Sequence, residues 1–310
     1  MNSDITFTKM KVPVLYLIFK RKEQTLQSFA PIKAYKPSKL YIAADGPRDY
    51  VTGEKEDCQA TREYVLAQID WECEVKTLFR DKNLGCADAV YGGISWFFEN
   101  EEYGIINEDD VVLAPDFFQF CEKILPLYRE KKQVMVVSSR NHSCLYQESD
   151  EYVFSYYVNI WGWATWRRAW KLNTNTFDGW DKYPKRNLIK RYGLFQGLMT
   201  IWYYNKCSNP NNEFGCWDYT WCYNIMKNNG LALCPKVNLS SNIGITVSGA
   251  NSKAGDVDPY SHLKVGRVKW PLRILNDIVV DPEIQKADRK DFYRLRIIGI
   301  KKKLKRLINL

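Results

Sequence analysis

The chain has 310 residues, of which 45% are hydrophobic and 26% charged, so it is too apolar to be disordered and too mixed for a fibrous protein. A chain of this length forms one or two domains. Its formal net charge is +9, and residues 289–310 hold nine Lys or Arg and one Asp. Since the rest of the chain is close to neutral, no nucleic-acid partner is expected.

The nine cysteines include no C-x-x-C pair, and the chain has two histidines, so a zinc site is not expected. The first residues, MNSDITFTKMKV, lack the basic and apolar regions of a secretion signal. The longest early apolar run, residues 12–19, is far shorter than the ~20 residues that span a bilayer. These features predict a cytoplasmic protein with reduced thiols.

Short apolar runs alternate with amphipathic stretches over the first 140 residues. This pattern predicts a doubly wound α/β sheet with helices on both faces. Helices are expected over 57–69 and 85–99, where apolar residues recur at spacings of three and four, and a further helix is expected to begin at Pro115. The predicted strands are Val12–Phe19, Leu40–Ala44, Glu74–Phe79, Tyr103–Ile106 and Gln133–Ser138.

The second half of the chain is rich in aromatic residues and less regular. Trp163, Trp166, Trp170 and Trp217 could stack on sugar rings, but tryptophans at such spacings more often belong to the core. Trp166 and Trp170 are four residues apart, which favours a helix with both side chains facing the core.

Three carboxylates, Glu108, Asp109 and Asp110, follow the fourth predicted strand. Ligands bind at the carboxyl ends of strands in open α/β sheets. Adjacent carboxylates repel one another unless a cation or solvent compensates their charge. Oxygen ligands without His or Cys favour Mg²⁺ or Mn²⁺. The alternative is a solvated acidic turn before a helix, where the helix dipole favours negative charge.

Polar residues near the same sheet edge are suited to a nucleoside diphosphate. Asp45 can accept a hydrogen bond from a base or a ribose hydroxyl, and Arg21 and Arg80 can supply positive charge toward a diphosphate. The chain contains neither G-x-x-x-x-G-K-[ST] nor a G-x-G-x-x-G after the first strand. P-loop, kinase and dinucleotide-oxidoreductase functions are therefore disfavoured.

Four segments carry a family resemblance: NLGCADAVYGGISWFFE, YGIINEDDVVLAPDFFQFCEKIL, WGWATWRRAW and FGCWDYTWCYNIMKNNGLALCPKVNLSSNIG. Together they resemble GT-A-fold glycosyltransferases, in particular the N-acetylglucosaminyltransferase I type and bacterial family-2-like enzymes. The resemblance extends over about residues 12–245. It implies a Rossmann-like GT-A domain, here over residues 1–285, that binds a nucleotide-sugar donor and a divalent metal.

The resemblance also implies roles for the acidic residues. Asp110 would ligate Mn²⁺ or Mg²⁺ directly, while Glu108 and Asp109 would contact the sugar and ribose of the donor. Some GT-A enzymes use a late histidine as a further metal ligand, and His262 is the candidate for that position.

Arg21 and Asp45 match the uridine-side residues of the family, and Asp88 falls near a position that contacts the donor. The Trp217–Asp218 pair matches a tryptophan–aspartate pair whose carboxylate is the catalytic base, with Trp217 on the donor side. Independently of the resemblance, Asp218 is also suited to cap a helix that extends to Asn229 and is ended by Gly230.

The function implied is an inverting, metal-dependent transfer of a sugar from a nucleotide-sugar, with a UDP-sugar preferred. The acceptor would be a hydroxyl of a cell-surface glycan or of a lipid-linked glycan. One alternative is a sugar-phosphate nucleotidylyltransferase, for which a glycine-rich loop would be expected where this chain has residues 19–22, FKRK. The other alternative is a non-catalytic glycan- or membrane-binding module.

Residues 286–310 are expected to form a basic amphipathic helical tail. Tyr293, Ile297, Ile300, Leu304 and Leu307 would share one face of the helix, with the lysines and arginines of 289–310 elsewhere, a pattern typical of anionic membrane surfaces. Such binding would bring the protein to the inner face of the cytoplasmic membrane. The alternative is a solvated helix or one that packs on a partner chain.

Overall fold

The computed structural model of the protein describes residues 11–141, 146–209, 217–244, 263–290 and 292–293. The first half alternates strands and helices, as the sequence predicts. Its elements are β1 (Val14–Ile18), α1 (Lys22–Tyr35), β2 (Lys39–Ala44), α2 (Glu54–Ala67), β3 (Glu74–Phe79), α3 (Cys86–Asn100), β4 (Tyr103–Glu108), β5 (Val111–Leu113), α4 (Pro115–Leu127) and β6 (Val134–Ser138).

The second half contains shorter strands and four helices within the described residues. Its elements are β7 (Glu148–Ser149), β8 (Tyr152–Ser155), β9 (Trp163–Trp166), α5 (Arg167–Trp170), α6 (Arg186–Tyr192), α7 (Leu194–Cys207), α8 (Trp217–Lys227), β10 (Leu231–Pro235), β11 (Ser240–Asn242) and β12 (Arg267–Val268). Residues 282–290 and 292–293 are also helical.

Eight strands form one mixed sheet in the order β3-β2-β1-β4-β9-β6-β10-β8. Strands β1 to β4 are parallel to one another, and β9 is antiparallel to both of its neighbours, β4 and β6. Because β1, β2 and β4 run in the same direction, the residues that follow them meet at one edge of the sheet.

Two apolar layers cover the faces of the sheet. On one face, Tyr16 and Ile42 pack with side chains of α1, α2 and α4. On the other, Leu15 and Tyr41 pack with side chains of α3, α5 and α8. Alternate residues of β1 therefore face opposite layers. The result is the predicted doubly wound, Rossmann-like α/β fold with helices on both faces.

Two local predictions need correction. Trp166 belongs to strand β9 rather than to a helix, although it and Trp170 are buried as predicted. Helix α8 ends at Lys227, and Asn229 rather than Gly230 adopts the left-handed conformation after it, at φ 55°. The amide of Gly230 donates to the carbonyl of Ile225 at 2.8 Å, as in a Schellman helix end.

The helical residues 282–290 pack against the sheet. Ile284 is buried against Val153 and Cys234, and the Ser155 hydroxyl donates to Asp288 at 3.3 Å. The predicted boundary between the domain and the tail, at residue 285, falls within this helical segment. The predicted tail helix from residue 294 onward lies outside the described residues. Within the described residues, no helix combines the length and the hydropathy that a membrane span needs.

Candidate functional site

The predicted acidic site lies where β4 ends beside β1. Leu17 of β1 pairs with Glu108 of β4, so the Phe19–Arg21 turn faces the Asp109–Asp110 turn. The amide of Phe19 donates to the Asp109 carboxylate at 3.2 Å. Parallel pairing of these two strands thus brings basic and acidic residues from distant parts of the sequence together.

Arg21 bridges two of the three carboxylates. Its guanidinium forms an ion pair with Asp109 and donates to Asp110 Oδ2 at 3.0 Å. Burial by itself would lower the pKa of Arg21, but the charges of Asp109 and Asp110 outweigh it and raise the pKa. Arg21 therefore stays charged and compensates part of the negative charge of Glu108, Asp109 and Asp110, which together form the acidic cluster.

The acidic cluster has more negative charge than Arg21 neutralises. Burial raises the pKa of Glu108, and the charges of Asp110 and Asp109 raise it further. Burial also raises the pKa of Asp109, although Arg21 opposes the change. Because Asp109 is 3% exposed, the alternative of a solvated acidic turn is wrong for this residue.

The turn that carries the carboxylates is held by buried polar residues. Ser28 of α1 donates to the Asp109 carbonyl at 2.8 Å, and its hydroxyl contacts that of Tyr16 at 2.6 Å. The Asn107 amide donates to the Val111 carbonyl at 2.9 Å across the turn, while its Oδ1 has no partner among the described residues. Sequence reasoning gave these supporting residues no role, because none is charged.

Strand β11 closes the other side of the acidic turn. It pairs antiparallel with β5, and the Ile243 amide donates to the Asp110 carbonyl at 2.8 Å. Gly244 then lies against the Asp110 side chain, where a β-carbon would fall 2.8 Å from Asp110 Cβ. Glycine at position 244 thus leaves room for the Asp110 carboxylate.

Asp218 lies in the first turn of α8, one residue after the helix begins. The predicted cap position is therefore wrong. Burial raises the pKa of Asp218, although the backbone N–H groups of Tyr219 and of Asp218 itself oppose the rise. The charge of Asp218 also raises the pKa of Glu108, so the predicted base and the acidic residues act on each other electrostatically.

Asp88 lies exposed in the first turn of α3. It accepts a long hydrogen bond of 3.4 Å from Asn175, and Thr220 of α8 donates to Asn175 at 3.4 Å. Asn175 has a positive φ of 54°, which Asn tolerates better than most residues. Asn175 therefore joins the start of α3 to the start of α8, a connection that the sequence does not reveal.

Asp45 follows β2, and its carboxylate is engaged by the chain itself. It accepts the backbone N–H groups of Gly46 at 2.9 Å, Leu84 at 3.0 Å and Gly85 at 3.1 Å. These bonds fix the loop before α3 against the end of β2. Asp45 thus anchors this loop, a role that adds to its predicted contact with a nucleoside.

Arg80 points along α3. Its guanidinium donates to the Ala89 carbonyl at 3.4 Å and lies beside Gly92. Arg62 of α2 donates to the carbonyls of Asp45 at 2.9 Å and Arg80 at 2.7 Å. Arg62 was not predicted, and it ties the ends of β2 and β3 together.

Trp217 is 6% exposed and stacks on Trp163 with ring centroids 6.1 Å apart. Trp170 and Trp221 complete the same buried cluster. The burial of Trp163, Trp166, Trp170 and Trp217 confirms the prediction that these four side chains belong to the core. In this position Trp217 supports the start of α8, next to Asp218.

A second charged cluster at the sheet edge was not predicted. Glu54, the first residue of α2, is buried and pairs with Lys20 and Arg48, each at 2.5 Å. Hydrogen bonds from Arg48 lower the pKa of Glu54 to about 2. An acidic residue at a helix start after a glycine was the available signal in the sequence.

The acidic cluster fits a divalent cation held through one carboxylate. In the described part of the chain, no three His, Cys, Asp or Glu side chains are arranged to hold a metal by themselves. Mg²⁺, however, is commonly bound through one or two carboxylates together with water and substrate phosphates. The three carboxylates exceed the single Arg21 charge, so the donor set suits such an ion. His262 lies outside the described residues.

Neither a protein-family model nor a curated protein sequence matches the chain. Among solved structures, HddC from Yersinia pseudotuberculosis is 9% identical, with a TM-score of 0.31 over 51% of this chain and 77% of that protein. An apo UDP-glucose pyrophosphorylase is 8% identical, with a TM-score of 0.35 over 74% and 93%.

A third structure, 4-diphosphocytidyl-2C-methyl-D-erythritol synthase from Anaerococcus prevotii, is 8% identical, with a TM-score of 0.28 over 70% of this chain and 96% of that one. Likeness at this level carries no conclusion about activity. What the site can do follows from its own residues.

Proposed function

We propose that the protein is an inverting, metal-dependent GT-A glycosyltransferase that uses a nucleotide-sugar, with a UDP-sugar as the first candidate. The observation that carries the proposal is the acidic cluster Glu108–Asp110, which lies at the carboxyl edge of the sheet, faces Arg21 and interacts electrostatically with Asp218. Such an edge is the usual ligand site of open α/β sheets.

The donor would lie across the acidic turn. Asp110 is suited to hold the metal because its side chain is 17% exposed, although it also accepts from Arg21. The Asp109 side chain is 4% exposed and is held by both Arg21 and the Phe19 amide. A bound divalent ion would stabilise the negative charge that develops on the leaving diphosphate. Arg21 would then orient the turn and add positive charge on the same side. Glu108 is available to accept hydrogen bonds from the sugar or ribose hydroxyls.

Asp218 would act as the catalytic base. In an inverting transfer, the acceptor oxygen forms a bond to the anomeric carbon while the bond to the diphosphate oxygen breaks. The acceptor hydroxyl proton passes to a base on the acceptor side. Burial raises the pKa of Asp218, which makes the carboxylate a stronger base. Its place in the first turn of α8 also holds it rigidly.

The acceptor is proposed to be a hydroxyl of a cell-surface glycan or of a lipid-linked glycan. Support comes from the basic segment 289–310, which suits an anionic membrane surface. Asp88 and Trp217 remain proposed donor-side residues, the first through its position at the start of α3 and the second through its contact with the Asp218 turn.

The decisive experiment is calorimetric titration of UDP into the full chain with and without Mn²⁺. We expect binding that needs the metal and that Asp110→Asn abolishes. Asp116→Asn is the matched control, because Asp116 follows β5 whereas Asp110 precedes it, and Asp116 accepts from the Val268 amide instead. A screen of UDP-sugars for hydrolysis and transfer would follow.

Two results would contradict the proposal. Absence of binding to UDP, GDP and dTDP under all metal conditions would favour a non-catalytic module. Formation of pyrophosphate from a sugar phosphate and a nucleoside triphosphate would identify a nucleotidylyltransferase instead. Since β1 is followed by Phe19–Lys20–Arg21 without a glycine, we expect no such reaction.

A further inference from the structure

Helix α7 carries an exposed apolar surface at the side of the molecule. The α7 face consists of Leu194, Phe195, Leu198 and Trp202, which are 65%, 49%, 51% and 49% exposed. Phe195, Leu198 and Trp202 follow a spacing of three and four, so they share one side of the helix. Single exposed apolar residues are common, but a contiguous patch with an aromatic at each end points to a binding surface.

The α7 face is presented by a firmly packed helix. Gln196, Gly197 and Tyr204 are buried on its opposite side. Gly197 lies so close to α6 that a β-carbon there would be 2.8 Å from the Ile189 Cα. Arg191 at the end of α6 donates to the Gly230 carbonyl at 2.7 Å. The exposed side chains therefore result from the fold itself, not from a frayed element.

The chain segment that contains the α7 face is basic. Residues 182–209 contain six Lys or Arg and no Asp or Glu. Lys182, Arg186, Lys190 and Lys206 among them are exposed, and Lys206 lies over the Trp202 ring at 4.1 Å. A helix with aromatic and leucine side chains on one side and lysines around them is typical of interfacial membrane helices.

The basic carboxyl-terminal segment begins beside this surface. The Tyr293 ring packs on Phe195 with centroids 5.6 Å apart, and the Arg289 guanidinium lies near Gly193. The sequence 289–310 carries a net charge of +8. Covering the α7 face with this segment, or with a second copy of the chain, would bring like charges together, so charge complementarity favours an anionic partner.

We propose that the α7 face is a membrane-docking surface that inserts Phe195, Leu198 and Trp202 into an anionic lipid bilayer. The exposed side chains of Lys182, Arg186, Lys190 and Lys206 would bind the lipid headgroups. Tryptophan and phenylalanine gain from the interface because their rings leave water while nearby cations stay at headgroup level. This docking needs neither donor nor catalysis, so it is separate from the proposed function.

The test is cosedimentation of the full chain with vesicles of phosphatidylcholine alone and with equal parts phosphatidylglycerol. We expect binding to the anionic vesicles and at least ~10-fold weaker binding for Phe195→Ser/Leu198→Ser/Trp202→Ser, since apolar insertion is lost. Lys190→Gln/Lys206→Gln should weaken binding ~10-fold or more at low salt, because each basic residue near the surface contributes ~1 kcal/mol.

Leu127→Ser is the matched control, because Leu127 is 42% exposed on α4 and should bind vesicles as the parent chain does. Circular dichroism and unfolding curves establish that each variant is folded. Vesicle binding by the triple serine variant equal to that of the parent chain would overturn the proposal. So would a lipid-free dimer that the triple variant dissociates, since the α7 face would then be a protein interface.

Discussion

Gly244 and Asp110 are in such close contact that a β-carbon at position 244 would lie 2.8 Å from Asp110 Cβ and 2.9 Å from Cγ. Gly244 follows β11, and Asp110 precedes β5, the strand with which β11 pairs. The position of the proposed metal-binding carboxylate is thus set from outside its own loop, by the absence of a side chain 134 positions later in the sequence.

Gly244→Ala should therefore displace the Asp110 carboxylate and weaken metal-dependent UDP binding by about tenfold or more, as small displacements of positioning groups do. Its φ is not in the left-handed region, so the effect is steric. Calorimetry measures the change, and Ser241→Ala on the preceding strand β11 is the control. Unchanged UDP affinity in Gly244→Ala would mean that Asp110 does not hold the metal.

Arg21→Met should lower the free energy of unfolding by about 2–4 kcal/mol, because it leaves buried Asp109 without its cation. The double variant Arg21→Met/Asp109→Asn should recover part of this loss. Urea unfolding at neutral pH measures both. Lys33→Met, which removes an exposed ion pair with Asp70, should change stability little. Additive effects in the double variant would contradict a direct interaction.

Asp218→Asn should reduce kcat about 10²–10⁴-fold, the usual contribution of a positioned general base. UDP affinity should stay nearly unchanged, since the proposed role concerns the acceptor. Transfer kinetics and calorimetry separate the two effects. Asp178→Asn, an exposed acidic residue, is the control. Loss of UDP binding in Asp218→Asn would instead assign the residue to the donor site.

Activity should also fall as the pH is lowered. The fall should begin at a higher pH than it would if the base were a carboxylate with an ordinary pKa. Burial raises the pKa of Asp218, so the base becomes protonated and inactive earlier as the pH falls. The pH dependence of kcat measures this limb. A profile that is flat down to the pH where the protein unfolds would contradict the base assignment.

Glu54→Gln should lower stability by about 1 kcal/mol at pH 7, an amount reduced by screening because Lys20 and Arg48 are 31% and 36% exposed. The pKa of Glu54 is lowered to about 2, from ~4.3 in the unfolded chain. Its stabilisation is therefore complete above the unfolded pKa and is lost as the pH falls toward 2.

The stability difference between the parent chain and Glu54→Gln should accordingly narrow between about pH 5 and pH 2. Thermal unfolding across this range measures it. Glu56→Gln, on the exposed side of α2, is the matched control. If the stability difference between the parent chain and Glu54→Gln stayed constant through this pH range, the ionised form of Glu54 would not be what stabilises the fold.

Much of the fold could be predicted because the signals are local. The spacings of three and four in α2 and α3 and the position of Pro115 predicted helices that the structure contains. Helix α1 went unpredicted, since its buried side includes Thr25 and Ser28 beside Phe29 and Ile32. Two hydroxyl residues in the buried stripe obscure the apolar period.

The sequence by itself determined the acidic triplet after β4, the alternation of strands and helices and the basic carboxyl-terminal segment, because each depends on neighbouring residues. Only the tertiary structure decided that β9 pairs antiparallel between β4 and β6, so that Trp166 lies in a strand. It also decided that Arg21 faces Asp109 and that Arg80 lies along α3. Strand order and the partners of long charged side chains depend on distances across the fold, which a local pattern does not encode.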